Sequence, residues 1–255
     1  MDVTVIIPIG GTLGKDDMAL LSNAVKSATK QCNEVLIIGP AELSKQEDKI
    51  KKLGDNIKVL ENDTPNYASN VNKAVKEVNT EYFSVLEYDD FFSEKWFENV
   101  EKYMEYDDED KFGYLPLTEI NDFNTRESFG YANEAFWASS FSDEIGYLDI
   151  GALENYLGFN TSGGVFRKKD FLSLGGLKES MKLTFWYEFL FRAIYKEKKI
   201  FVVPKVGYYH TVNRPNSLTE TYSNEMSEKE VEWWVELAKK EYFFPQDRKK
   251  VYEEE

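Results

Sequence analysis

The chain has 255 residues with 42% hydrophobic and 15% aromatic content, enough for one large α/β domain and too apolar for a disordered chain. Its 46 acidic and 31 basic residues give a formal charge of −15, which excludes an extended nucleic-acid surface and disfavours an anionic membrane. A phosphate-bearing ligand then needs a cation or a local exception to that field. Cys32 and His210 are each the only residue of their type, so an intramolecular disulfide and a zinc site of several Cys and His ligands are both excluded.

Residues 1–8 carry no basic leader region, and no run of about twenty apolar residues occurs anywhere. The expectation is a cytoplasmic protein with no transmembrane segment. In chain order, Val3-Thr4-Val5-Ile6-Ile7 reads as a buried parallel strand closed by the turn Pro8-Ile9-Gly10-Gly11. Residues 17–29 place Met18, Leu21, Ala24, Val25 and Ala28 at helical spacing. Residues 34–38 are a second strand ended by Gly39-Pro40. Residues 43–53 are a charged surface helix, and residues 57–60 a third strand. A helix over 66–78 turns Ala68, Val71, Ala74, Val75 and Val78 inward. Residues 82–86 are the fourth strand, and Ser93 caps a helix through Tyr106.

Strands separated by single helices predict a doubly wound, mostly parallel α/β sheet, in which ligands bind beyond the carboxyl ends of the strands. That logic gathers residues 8–11, 39–40, 63–66 and 87–90 around one crevice. Beyond an acidic loop at 107–111, residues 112–117 read as a strand, while 119–160 resist assignment. Residues 163–167 are a strand and 185–196 an amphipathic helix. Two short strands, 200–203 and 206–209, are broken by Pro204. A final helix over 228–243 puts Val231, Trp234, Val235 and Ala238 on one face, with Trp233-Trp234 read as packing and Glu253-Glu254-Glu255 as a solvated tail. No repeat or low-complexity linker marks a second independent domain.

Glu87-Tyr88-Asp89-Asp90 follows a buried strand directly. Side chains alternate along a strand, so Glu87 and Asp89 project together and suit a hard divalent cation that keeps positions open for diphosphate oxygens. Read alone, the segment is equally an acidic turn with Asp90 or Ser93 as a helix cap.

Val5-Ile6-Ile7-Pro8, then Asn70 and Asn72 before Glu81-Tyr82-Phe83-Ser84-Val85-Leu86-Glu87-Tyr88-Asp89-Asp90, resembles the nucleotide-binding half of GT-A glycosyltransferases of the family 2 type. Residues 163–171 with 175–180, and residues 206–210 with 214–219, resemble the family's later segments. The resemblance implies a GT-A fold with a helical extension. Residues 1–105 would be the nucleotide-binding half, 106–220 the acceptor half, and 221–255 a helix and tail packed on them. It implies transfer of a sugar from a nucleotide-diphosphate sugar to a glycan or other hydroxyl acceptor, with inversion and with Mn2+ or Mg2+ held by Glu87 and Asp89, His210 serving as a third metal ligand or a phosphate partner. Donor contacts would come from Pro8, Gly10, Asp63, Asn66, Asn70, Glu87, Tyr88, Asp89 and Arg214, and acceptor contacts from Asp90, Trp137 and Trp186.

Two departures stand out. Gly39-Pro40 occupies the place where the family sets an Asp on the nucleotide base, leaving Asp63, Asn66 or Asn70 to read it. Phe185-Trp186 occupies the place of the acidic pair whose Asp serves as base, so Glu188 is the nearest candidate base; its alternative is an ion pair with Arg192, four residues along the helix. The aromatic helix 185–189 and the segment 238–244 resemble a virus- or phage-encoded branch, which would place the protein in host cytoplasm. A nucleotidyltransferase using Gly10-Gly11-Thr12-Leu13-Gly14-Lys15, or a non-catalytic sugar-nucleotide-binding relic, are the alternative functions.

Overall fold

The computed structural model describes residues 1–64, 66–105, 110–140, 144–156, 158–215, 217 and 225–242. Four strands, β1 (Val3–Pro8), β2 (Glu34–Gly39), β3 (Ile57–Glu61) and β4 (Tyr82–Val85), pair in parallel in the order β3-β2-β1-β4. The β-branched runs of β1 and β2 are buried because helices cover both faces. Val3, Val5 and Ile7 pack with Leu21, Ala24 and Val25 of α1 (Lys15–Thr29). Ile6, Leu36 and Ile38 pack with Ala68, Val71 and Val75 of α3 (Tyr67–Glu77). Each such side chain contributes about 1.5–3 kcal/mol by leaving water. Asn66 caps α3, its Oδ1 accepting the Ser69 amide at 2.8 Å. The single helix expected at 43–53 is a 3-10 turn (Ala41–Gln46) running into the short α2 (Glu47–Lys51).

The second half is mixed. β5 (Phe91–Phe92) and α4 (Trp96–Met104) follow β4; Ser93 does not cap α4 with its side chain, the N-cap being Lys95. Then come β6 (Lys111–Asp122), β7 (Ser128–Ala132), α5 (Ile150–Asn155), β8 (Val165–Arg167), α6 (Lys168–Ser173), α7 (Phe185–Tyr195), β9 (Lys199–Val212) and α8 (Glu228–Glu241). Among the described residues one sheet runs β3-β2-β1-β4-β8-β6-β9-β5, with β7 also on β6. β8 is antiparallel to β4 and β6, β9 is parallel to β6, and β5 is antiparallel to β9.

Pro204 does not break β9. The register steps from Pro116↔Val203 to Leu117↔Val206, so Pro204 and Lys205 bulge out of the ladder and need no hydrogen bond from the proline nitrogen. α8 docks on α7 through Trp234 and Ala238, and Thr184 Oγ1 donates to the Trp234 carbonyl at 2.9 Å. Val231, expected on the packed face, is 37% exposed and Trp233 54%, so only one of the paired tryptophans packs. The predicted helix ends at Tyr106 and Phe243, residues 107–109 of the acidic loop, and Asn216, Leu218, Thr219 and Glu253 to Glu255 lie outside the described residues. Among the described residues no helix is long and apolar enough to cross a membrane.

Candidate active site

The carboxyl ends of β1, β2 and β3 lie together at one edge of the sheet. A Cβ added to Gly10 or Gly11 would meet nothing within 4 Å, so the space beyond β1 is free. Pro8 is buried at the strand end beneath it. At its floor a relay of amides fixes its own polarity. Asn70 Nδ2 donates to the Ile9 carbonyl (3.2 Å), so Asn70 Oδ1 must accept, and it does so from Asn62 Nδ2 (2.9 Å). Asn62 Nδ2 also reaches Ser69 Oγ at 2.9 Å. Asn62 is only 6% exposed, its amide nitrogen is committed, and its Oδ1 accepts no hydrogen bond among the described residues. The relay therefore presents a fixed acceptor at the strand ends.

This arrangement redistributes the expected base contacts. Asn70 is 1% exposed with both ends of its amide engaged, Asn66 is consumed as a helix cap, and Asp63 is exposed. The residue left with a free polar atom is Asn62, which the sequence reading passed over. Its only sequence signal was an amide immediately after a strand, three residues ahead of Pro65.

The second group gathers at the end of β4. Asp90, fully buried, accepts from Tyr208 Oη (2.8 Å), from the Thr211 amide (2.7 Å) and from His210 Nδ1 (2.9 Å). Three donors saturate this carboxylate, so Asp90 anchors the loop to β9 and does not face an acceptor as expected. Burial opposes charge on His210, but Asp90, with Asp89 and Glu87 further off, outweighs it and lifts the imidazole to about 8. Its Nδ1 is held by Asp90, which leaves Nε2 for a ligand.

Asp89 Oδ2 receives Arg214 Nε at 2.5 Å, and the guanidinium lies 5.0 Å over the Tyr88 ring. Asp17, at the start of α1, stands 3.9 Å from the same guanidinium and accepts from Tyr88 Oη. Burial and the neighbouring Asp90 raise the Asp89 carboxyl, against the pull of Arg214. Glu87 is engaged differently. Tyr67 Oη donates to it at 2.5 Å, and burial raises its carboxyl to about 8. Among the described residues no three Asp, Glu, His or Cys side chains form a ready-made cation site. The donors still open are an Asp89 oxygen and His210 Nε2, a set that suits a cation completed by phosphate oxygens.

Three expected residues fall outside this group. Trp186 is 8% exposed and stacks on Phe166 with ring centroids 5.4 Å apart, so it belongs to the core. Trp137 donates to the Val202 carbonyl and packs edge-on against Phe201, at the opposite end of β9 from His210. Glu188 is fully buried; Arg192 grips both its oxygens at 2.9 and 2.8 Å, and Lys178 stands 3.2 Å away. Arg192 in turn holds the Leu174 and Gly176 carbonyls. The ion-pair alternative is the one observed, and Glu188 is a structural anchor for the loop before α7. Tyr67 and Tyr208, whose hydroxyls set Glu87 and Asp90, carried no motif and were missed.

This mixed sheet, with its acidic turn at the end of β4, defines the GT-A class of nucleotide-sugar transferase folds. The family model described as "Glycosyl transferase family 2" matches residues 19–138, just under half of the chain. Residues 1–349 of S. aureus TarS in complex with UDP-GlcNAc superpose with a TM-score of 0.63 at 14% identity, covering 97% of this chain and 74% of that one. The same TarS fragment with UDP gives 0.58 at 15% identity, covering 97% and 74%. A longer TarS chain gives 0.55 at 14% identity, with 83% of this chain matching 37% of that one. No curated protein matches the sequence. Residues 19–138 thus resemble the family 2 glycosyltransferases, and the chain as a whole has the GT-A fold.

Proposed function

We propose that this chain transfers a sugar from a UDP-sugar to a hydroxyl of a glycan or other acceptor, with inversion at the anomeric carbon. The observation that carries the reading is the convergence of His210 and Arg214 on the carboxylates at the end of β4, beside the strand ends where Asn62 sits. Arg214 and a protonated His210 supply the positive charge that a diphosphate needs on so acidic a protein. The fixed acceptor of Asn62 fits the imide N–H of a uracil ring, and the UDP and UDP-GlcNAc held by TarS support the same nucleotide.

Asp89 and His210 would hold Mn2+ or Mg2+, which when bound offsets charge on the departing diphosphate. The chain's own groups do the rest. Asp90 fixes His210 and Thr211 before ligand arrives, Tyr88 and Asp17 steer Arg214, and the Asn62–Asn70 relay orients the base. In this reading residues 1–105 bind the donor and 106–220 the acceptor. Phe185-Trp186 leaves no carboxylate at the family's base position, so stabilisation of the leaving group carries more of the catalysis.

The test is a melting-temperature screen of UDP-, GDP- and ADP-sugars with and without Mn2+. A ligand at a hundred times its Kd adds about 2.7 kcal/mol of stability, or roughly 5–10 °C at this size. UDP-sugars are expected to give that rise, with UDP as the released product. A response confined to GDP- or ADP-sugars, or release of pyrophosphate, overturns the proposal.

A further inference from the structure

Strand register places Phe91, Tyr209, Glu119 and Tyr131 in one row across β5, β9, β6 and β7, since Phe91 pairs with Tyr209, Tyr209 with Glu119, and Glu119 with Tyr131. Directly paired residues on neighbouring strands share a face, so these four side chains stand together, while Tyr208 and His210 turn to the other face. Phe91 and Tyr209 stack with centroids 4.7 Å apart and 18° between their planes. Phe91 is 41% exposed and Tyr131 50%. Tyr209 lies in the electrostatic reach of Glu119, Tyr131 and Glu94. Neither the Glu119 carboxylate nor the hydroxyls of Tyr131 and Tyr209 make a hydrogen bond or ion pair among the described residues. Three strand spacings give the row a length of about 14 Å.

We infer that this row is a binding surface for an uncharged glycan chain on the acceptor side of the enzyme. It rests on the glycosyl-transfer reading for the role of that glycan, though not for its binding. The chemistry selects the occupant. Ring faces stack on the C–H faces of sugars, and a carboxylate flanked by two phenols accepts and donates hydrogen bonds to hydroxyls. An anionic polymer is repelled by Glu119, Glu94 and the net charge of −15. A two-fold contact between copies would set Glu119 against Glu119, and an apolar protein partner would strip that carboxylate of water with nothing in exchange. Along β5 and β9 the row neighbours Asp90 and His210 in sequence, with His210 on the opposite face of the sheet.

The test is affinity electrophoresis of the full chain through gels containing dextran, soluble starch, hydroxyethyl cellulose or glycol chitin, beside heparin as the anionic control. NMR titration with maltohexaose, cellohexaose and chitohexaose runs in parallel. At least one neutral glycan should retard the protein and heparin should not. Tyr131→Ala, Phe91→Ala and Glu119→Gln should each weaken retardation at least fivefold, with Tyr131→Ala and Glu119→Gln retaining the wild-type melting temperature and UDP-sugar affinity. Retardation by none of the neutral glycans, or retardation that both Tyr131→Ala and Phe91→Ala leave intact, overturns the inference. So does a concentration-dependent dimer in sedimentation that Tyr131→Ala abolishes. A wild-type protein that binds a neutral glycan but no UDP-sugar refutes the donor reading and leaves the glycan surface standing.

Discussion

Replacing Glu188 by Gln separates a structural anchor from a catalytic base. The carboxylate is fully buried, held by Nε and Nη2 of Arg192 and faced by Lys178 at 3.2 Å. Its removal leaves Arg192 in the interior without its counter-charge, which costs about 3–5 kcal/mol for a broken buried pair. That is a large part of the roughly 5–15 kcal/mol that holds most proteins folded. At about 2–4 °C per kcal/mol for a chain of this size, the melting temperature should fall by roughly 6–20 °C. Urea unfolding at pH 7 and a melting curve measure the loss. UDP release by the fraction still folded at low temperature measures the chemistry, and it should stay within about threefold of wild type, far from the 10²–10⁴ of a lost general base. Changing Arg192 to Met together with Glu188→Met should recover only part of the loss, because the Leu174 and Gly176 carbonyls then lose their donor. A Glu188→Gln protein that melts within 2 °C of wild type while turnover falls a hundredfold would refute the assignment.

Asn70→Leu should strand the Ile9 carbonyl and free the Asn62 amide to rotate, costing about 1–3 kcal/mol of stability and, with it, selectivity for UDP over other nucleotides, as read by competition binding. Arg214→Lys keeps the charge but loses the planar fork, and UDP-sugar affinity by calorimetry should fall at least tenfold, with Arg214→Ala lower still. Both His210 and Glu87 have folded-state values raised to about 8, from 6.5 and 4.5. The folded state therefore binds more protons than the unfolded one. Stability should be highest below pH 4.5 for the Glu87 contribution and below 6.5 for the His210 contribution, and both should be lost as pH rises through 8. Urea midpoints at pH 5.5, 7 and 8.5 should decline in that order, and His210→Asn should flatten the step between 7 and 8.5; a midpoint that rises with pH would contradict the sign.

Much of the first half was legible because its forces are local. Val3 to Ile7 and Glu34 to Ile38 are β-branched runs too short for helices and bounded by Gly and Pro, and the parallel sheet follows from their alternation with helices. The second half was not, because its structure is set by pairings distant in sequence. β5 is two residues long and exists only because Tyr208 and Tyr209 lie beside it. Pro204 looked like a strand break because sequence does not show a bulge. In the site, the acidic turn announced itself, but the division of labour within it did not. Asp90 is taken by three donors from β9, and Glu87 by a tyrosine 20 residues earlier. Glu188 and Arg192 were separable from catalysis only by burial. An i,i+4 pair reads the same on a surface as in a core, yet carries several times more energy when water is excluded.

β9 is a single strand from Ile200, deep in the core beside β6, to Thr211 at the clamp on Asp90. A strand that long transmits rigidity. The Thr211 amide, held by Asp90 Oδ1, cannot exchange its proton with solvent freely unless β9 leaves that clamp, so it should exchange far more slowly than a surface loop. Ligand entry consequently finds one wall of the site already frozen, with little entropy left to lose there, and the freedom to close around a diphosphate rests with Arg214, two residues past the strand's end.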